Sequence, residues 1–286
     1  MSSERVQEKR HDDRASRRRA YSVAAGATAA LAGAEADAQI IWSTPQDISI
    51  DQSNSQTLNL DGDIYYDLVL KNYVFNGGNY QGAYVVYGPG KTVGFQAAFA
   101  YASALLPGDL IDASTVDSGF ATTSLAYGAN NPSAEFNDVE NAYLGLGFPI
   151  SGEIHYGWVR VSIDNAVGSF TIHDWAYSIT PGQGIAAGQR ADFNGDGVTD
   201  AADYTIWRDT LGTMRVGDEF IPADVDLSNE VDNPDYAVWA ADYGLSGGPA
   251  PASAAVPEPM TLGLLAAGAA GIAVLRDSRQ RSTRPS

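Results

Sequence analysis

The run from Asp192 to Asp203 reads Asp-Phe-Asn-Gly-Asp-Gly-Val-Thr-Asp-Ala-Ala-Asp and places side-chain oxygens at its positions 1, 3, 5, 9 and 12. A hard divalent cation takes about six to eight oxygens, so short carboxylates that alternate inward are suited to calcium. Val198 at position 7 offers its backbone carbonyl, and Gly197 permits the sharp turn between. The candidate ligands are therefore Asp192, Asn194, Asp196, Val198, Asp200 and Asp203. A second run keeps the spacing with Asp224, Asp226, Ser228, Glu230, Asp232 and Asp235. It has Ser228 at position 5 and Asn229 where glycine bends the first loop, so weaker binding is expected there.

The two runs belong to an internal repeat with an offset of 32 residues. Ala191-Asp192 aligns with Ala223-Asp224, Asp203-Tyr204 with Asp235-Tyr236, Trp207 with Trp239 and Gly212 with Gly244. After position 12, Tyr204, Ile206, Trp207 and Leu211 form a helical apolar stripe that Gly212 can end. The approach to Asp192 runs through Thr180-Pro181-Gly182-Gln183-Gly184, which does not form a preceding helix. A loop followed by one helix, twice over, with Asp at position 12 and an aromatic in each helix, resembles a type I dockerin across about residues 191–245. The resemblance implies that family's ligands at Asp192, Asn194, Asp196, Asp200 and Asp203, and a cohesin-like protein partner. The spacer from Met214 to Pro222 is longer than the usual dockerin connection, so the partner does not carry over automatically. Residues 191–245 hold 13 acids against Arg208 and Arg215, so folding of this region is expected to be linked to calcium.

The chain ends read as addresses. Arg17-Arg18-Arg19, an apolar run from Ala20 to Ala34, and Ala36-Asp37-Ala38 match an export signal over residues 1–38, with cleavage set by Ala36 and Ala38. Arg18-Arg19 leaves the twin-arginine route open beside the general one. At the far end, a Pro/Ala-rich linker over residues 247–259 leads to an apolar run from Met260 to Leu275, followed by Arg276, Arg279, Arg281 and Arg284. A helix of that run spans about 24 Å, a tight fit to a hydrocarbon core of about 30 Å. The arginines favour a cytoplasmic C-terminus. Pro257-Glu258-Pro259 ahead of this span and basic end resembles a PEP-CTERM sorting signal. That resemblance implies exosortase recognition, removal of the 260–286 tail after transient residence in the inner membrane through residues 260–275, and delivery to the cell surface or extracellular matrix. The alternative is a permanent single-span anchor.

Residues 39–189 carry short Val-, Ile-, Tyr-, Phe- and Thr-rich runs separated by turn residues, which predicts strands. The expected runs are 46–50, 57–60, 64–71, 83–87, 92–101, 153–163 and 169–179, the last two as a long antiparallel hairpin. The fold class expected is mainly β: an antiparallel β-sandwich or jelly roll, then a small α dockerin-like module over residues 190–246, with a signal at one end and a single-span helix at the other. The hairpin's Tyr-Gly-Trp-Val-Arg followed by Asp-Trp-Ala-Tyr is similar to a domain found beside PEP-CTERM tails. Asn59 to Asp67 alternates oxygens but has Ile64 where glycine would help a cation loop, and reads as a turn. Trp42, Trp158 and Trp175 suit a core better than a sugar-stacking platform. His155 and His173 lie on expected strands, and no nucleophile elbow or zinc-protease helix motif occurs, so no catalytic residue is assigned. Between residues 39 and 257 there are six basic against 27 acidic side chains, which excludes a nucleic-acid footprint. The chain has no cysteine and therefore no disulfide or thiolate site. The function expected is calcium-dependent protein attachment at the cell surface. The alternative is a polysaccharide-binding or polysaccharide-degrading accessory protein that uses the dockerin-like unit for assembly.

Overall fold

Three long strands carry the architecture because their side chains alternate between two apolar faces. In the computed structural model, which describes residues 40–216 and 221–248, Glu153–Asp164 has Tyr156 and Trp158 on one side and Val159, Val161 and Ile163 on the other. The principal strands are β1 (Leu68–Phe75), β2 (Gly78–Val85), β3 (Thr122–Ala126), β4 (Val139–Ile150), β5 (Glu153–Asp164) and β6 (Ser169–Ser178). A seven-stranded sheet runs Ile40–Trp42, β6, β5, β4, Lys91–Thr92; Ile48–Ser49 also pairs with β6 and Ala104–Leu105 with β4. A six-stranded sheet runs Asn54–Leu58, β1, β2, β3, Ala100–Ala102, Gly94–Gln96. All pairings are antiparallel except that of β3 with Ala100–Ala102.

The expected β5–β6 hairpin forms, with Trp158 opposite Ala176 and Asp164 opposite Ser169. β4 lies outside every run expected from the sequence, although it is the central partner of β5. It turns into β5 through Ser151 and Gly152, whose φ values of 51° and 92° give the twist that a two-residue hairpin needs. Expected strand 64–71 begins only at Leu68. The preceding chain is held in a turn, with the Gly62 N–H donating to Asn59 Oδ1 (2.8 Å) and the Leu60 N–H to Asp67 Oδ2 (2.7 Å). Expected strand 92–101 is broken into short pieces.

Two cores result. One lies between the sheets, joining Leu68, Leu70, Ala83, Val85 and Leu125 to Leu144, Val159, Val161, Phe170 and Ile172. The other lies on the opposite face of the seven-stranded sheet and contains Trp42, Tyr156 and Trp158 together with Phe193, Trp207, Val225 and Val231. All described residues fall within a single compact unit. The export signal, the linker from Pro249, the sorting motif and the apolar span lie outside the described residues, and among those described no helix is long and apolar enough to cross a membrane.

Asp67 gives this fold a pH dependence. Burial, with repulsion from Asp61 and Asp63 and against the Leu60 N–H, lifts its carboxyl from 3.8 to about 6. The folded chain binds this proton more tightly than the unfolded one. Stability from this group is therefore full below about pH 3.8 and is lost as pH rises through about 6. Asp67→Asn, which keeps an oxygen for Leu60, is expected to raise the denaturant midpoint at pH 7 and to flatten the pH profile between 4 and 6. An unchanged profile in urea titrations would refute this.

Candidate metal centre

The paired loops are built from the helices outward. Helices α1 (Ala201–Thr210) and α2 (Asn233–Asp242) begin at N-cap residues Asp200 and Asp232, which are position 9 of each loop. Position 12 is thus the third residue of its helix, not the first. Asp203 Oδ2 accepts from the Asp200 N–H (2.7 Å) and Asp235 Oδ2 from the Asp232 N–H (2.8 Å), completing a capping box in both helices. The other oxygen of each reaches back to the start of its loop. Asp203 Oδ1 accepts from Phe193 (2.7 Å) and Asn194 (3.1 Å), and Asp235 Oδ1 from Val225 (2.8 Å) and Asp226 (3.2 Å). Helices end as the repeat predicts, with Gly212 and Gly244 at φ 79° and 88°.

The loops differ at their mouths. In the first, Asp192 accepts from the N–H groups of Gly195 and Gly197, both at 2.8 Å, and Asn194 Nδ2 donates to Asp196 Oδ2 at 3.0 Å. In the second, one oxygen each of Asp224, Asp226 and Asp235 lies within 4.8 Å of the others. Asp224 Oδ2 accepts from Asn229 (3.2 Å), while the buried Oδ1 atoms of Asp224 and Asp232 have no hydrogen-bond partner. Asn229 takes φ 75°, the left-handed turn that Gly197 makes at 90° in the first loop. Leu227 takes φ 59° where the first loop has Gly195, a conformation that costs a leucine about 1 kcal/mol or more.

Burial raises the Asp192 carboxyl to about 8, with repulsion from Asp203 adding to it, and raises Asp235 to about 6. Asp203 is also raised by burial, against its three N–H donors. The groups acting on these aspartates are backbone donors and other aspartates. Carboxylates withdrawn from water this way fit a divalent cation, which would supply the missing positive charge and a partner for the two orphaned oxygens.

Each half completes the other. Trp207 Nε1 donates to the Asp232 carbonyl and Trp239 Nε1 to that of Asp200, both at 2.8 Å. Thr199 exchanges backbone bonds with Gly244 and Leu245, and its repeat equivalent Val231 does so with Gly212 and Thr213. Tyr204 and Tyr236 pack among the two tryptophans. This exchanged pairing was legible only as matching residues 32 apart.

The pair is also seated on the seven-stranded sheet. Arg190 forms an ion pair with Asp242 (2.6 Å) and covers the Trp42 ring at 5.0 Å. Trp42 Nε1 donates to Asp174, which Arg160 engages with two nitrogens. Gln189 Nε2 donates to Gly197 O and Gln183 Nε2 to Gly195 O, so backbone of the first loop is held from the sheet side.

Other sequence candidates have structural roles. Trp42 and Trp158 belong to the core on the outer face of the seven-stranded sheet, and Trp175 packs against the core between the sheets. His155 is buried with Nδ1 against the Ser178 carbonyl (2.9 Å). Ser162 Oγ, His173 and Asp47 line up at 2.8 Å each, with Ser162 also accepting from the Asn141 N–H, but Asp47 is largely open to water. A solvated carboxylate does not hold an imidazolium as a buried one does, so the chain ties the 43–47 segment to β5 and β6.

Residues 255–280 match the model of the PEP-CTERM protein-sorting motif. This motif marks an exported, exosortase-processed surface protein with transient membrane anchoring at its C-terminal region. Comparison with curated proteins and with solved structures returns no match.

Proposed function

We propose that this protein is a cell-surface or extracellular-matrix attachment protein whose paired dockerin-like loops bind calcium and present a docking surface to a cohesin-like protein partner. In this reading residues 1–38 are an export signal, residues 39–189 a β-sandwich, residues 190–246 the calcium-binding pair, and residues 260–286 a tail with a cytoplasmic C-terminus that the exosortase removes. Asp192, Asn194, Asp196, Val198, Asp200 and Asp203 hold one ion, and Asp224, Asp226, Ser228, Glu230, Asp232 and Asp235 the other. The observation that carries the reading is the second loop, where three aspartate oxygens converge and two buried ones are left without a donor. Bound calcium would neutralise these carboxylates and lock both loops against their helices.

The test is a calorimetric calcium titration of the full chain, with thermal unfolding in calcium and in chelator. Saturation at about 1,000 times Kd is expected to add about 4 kcal/mol of stability, and Asp224→Ala to remove the second loop's share. Absence of calcium heat together with identical unfolding in chelator rules the reading out. A calcium-dependent pull-down then tests the partner.

A further inference from the structure

The six-stranded sheet turns one face away from the shared core. Leu70 and Ala83 point into that core, so alternation sends Tyr73, Tyr80 and Gly82 outward, and Ser124 lies in register with Gly82. On this face opens a cavity of about 700 Å³, within the usual small-molecule range of about 300–1,000 Å³.

Its walls are the rings of Tyr73, Phe75, Tyr80, Phe99 and Tyr127. Tyr73 stands opposite Tyr80 in the β1–β2 register, and Tyr127 meets Tyr80 edge-on at 5.7 Å and Phe75 at 6.3 Å. Asn137 fixes this corner by accepting from the N–H groups of Tyr127 (2.9 Å) and Gly128 (2.8 Å). Gly82 leaves room beneath the cluster for the Tyr80 ring as it lies, since a Cβ there would stand 2.6 Å from the Tyr80 hydroxyl. Phe75 and Phe99 are 59% and 58% exposed, an uncommon cost for rings gathered on one concave patch.

The rest of the lining selects the ligand. Thr122, Ser124 and Asn131 bring hydroxyl and amide groups between the rings, with Asn131 Nδ2 donating to Ser124 Oγ at 3.2 Å. No Asp, Glu, Lys or Arg lines the cavity, although the chain carries 35 acidic side chains. A charged ligand would find no counter-ion here, and an acyl chain would make no use of the Thr122 hydroxyl or of the hydrogen-bonding capacity that Ser124 and Asn131 keep beyond their mutual bond. A pyranose meets both demands, because its C–H face packs on an aromatic ring while its hydroxyls bond at the edge. The sorting motif at residues 255–280 marks an exported chain, so the ligand is to be sought among molecules met outside the cell.

We propose that this aromatic cavity on the six-stranded sheet binds a neutral oligosaccharide. It is a second site, separate from the calcium loops and independent of them. The test applies the full chain to an array of neutral and uronic-acid oligosaccharides, then titrates the strongest neutral binder against tyrosine fluorescence, with and without chelator. Neutral glycans are expected to bind in both conditions. Tyr73→Ala and Phe99→Ala, at exposed positions that spare the fold, are each expected to weaken binding about 10-fold, with circular dichroism unchanged. Retention of no neutral glycan, affinity unmoved by both substitutions, or binding of laurate in place of any sugar overturns the proposal. Calcium heats leave it untouched, so the two readings fail separately.

Discussion

Asp242→Ala is expected to destabilise the folded chain by about 3–5 kcal/mol, measured by urea unfolding. Asp242 is 1% exposed and accepts from the N–H groups of Arg190 (2.6 Å) and Ala191 (3.1 Å) as well as from the Arg190 guanidinium. Truncation leaves that guanidinium without its anion above Trp42 and strands two backbone donors. Asp242→Asn keeps oxygen for the two N–H groups and is expected to cost clearly less. The residue sits at the end of α2, far in sequence from the sheet it holds. A cost under about 1 kcal/mol for the alanine variant would mean that the loop pair is not energetically seated on the β-sheet.

The second large effect is expected at Asp235. Its carboxylate serves three N–H donors, closes the capping box of α2 and converges with Asp224 and Asp226. Asp235→Ala is expected to cost about 2–4 kcal/mol without calcium, from the lost cap and the stranded donors, and to abolish the second loop's calcium response. Asp235→Asn separates the two roles. Burial already raises this carboxyl to about 6, so loss of its charge is tolerated, but an amide keeps only one of the two accepting oxygens. Asp235→Asn is therefore expected to cost less than the alanine variant in chelator while still losing the calcium response. Equal calcium stabilisation in wild type and Asp235→Asn, by thermal unfolding, would count against Asp235 as a ligand.

The repeat was legible because its chemistry is local: oxygens at alternate positions, a glycine or asparagine at the bend and an aromatic stripe leave a pattern within each 32-residue period. The relative standing of the two loops was not. Sequence favours the first, with its full aspartate set and glycine, whereas convergence of carboxylates and orphaned oxygens occur in the second. Which oxygen turns outward depends on the hydrogen bonds each loop makes with itself, and spacing does not encode those.

In the β region, the β5–β6 hairpin was readable from alternation, but β4 was hidden by Gly145, Gly147 and Pro149, which ordinarily argue against a strand. Gly145 is there for a tertiary reason: a Cβ would come within 2.7 Å of Leu105 and 3.0 Å of Ile111 and Val93. The aromatic cavity was equally hidden, because its rings come from strands and turns distant in sequence. The tryptophans, the more conspicuous aromatic signal, went to the cores.

The path of the chain after α2 has a mechanical consequence. Leu245 accepts from Thr199, Gly247 donates to Gly197 O at 2.8 Å, and Ser246 bridges Val198, so the last described residues lie as a strap across the first loop. While the tail still tethers the protein, tension enters the folded body through this strap. The load falls first on backbone bonds to Gly197, Val198 and Thr199, inside the loop that calcium would stiffen. Filling that loop would therefore set how hard the tether can be pulled before the body begins to peel.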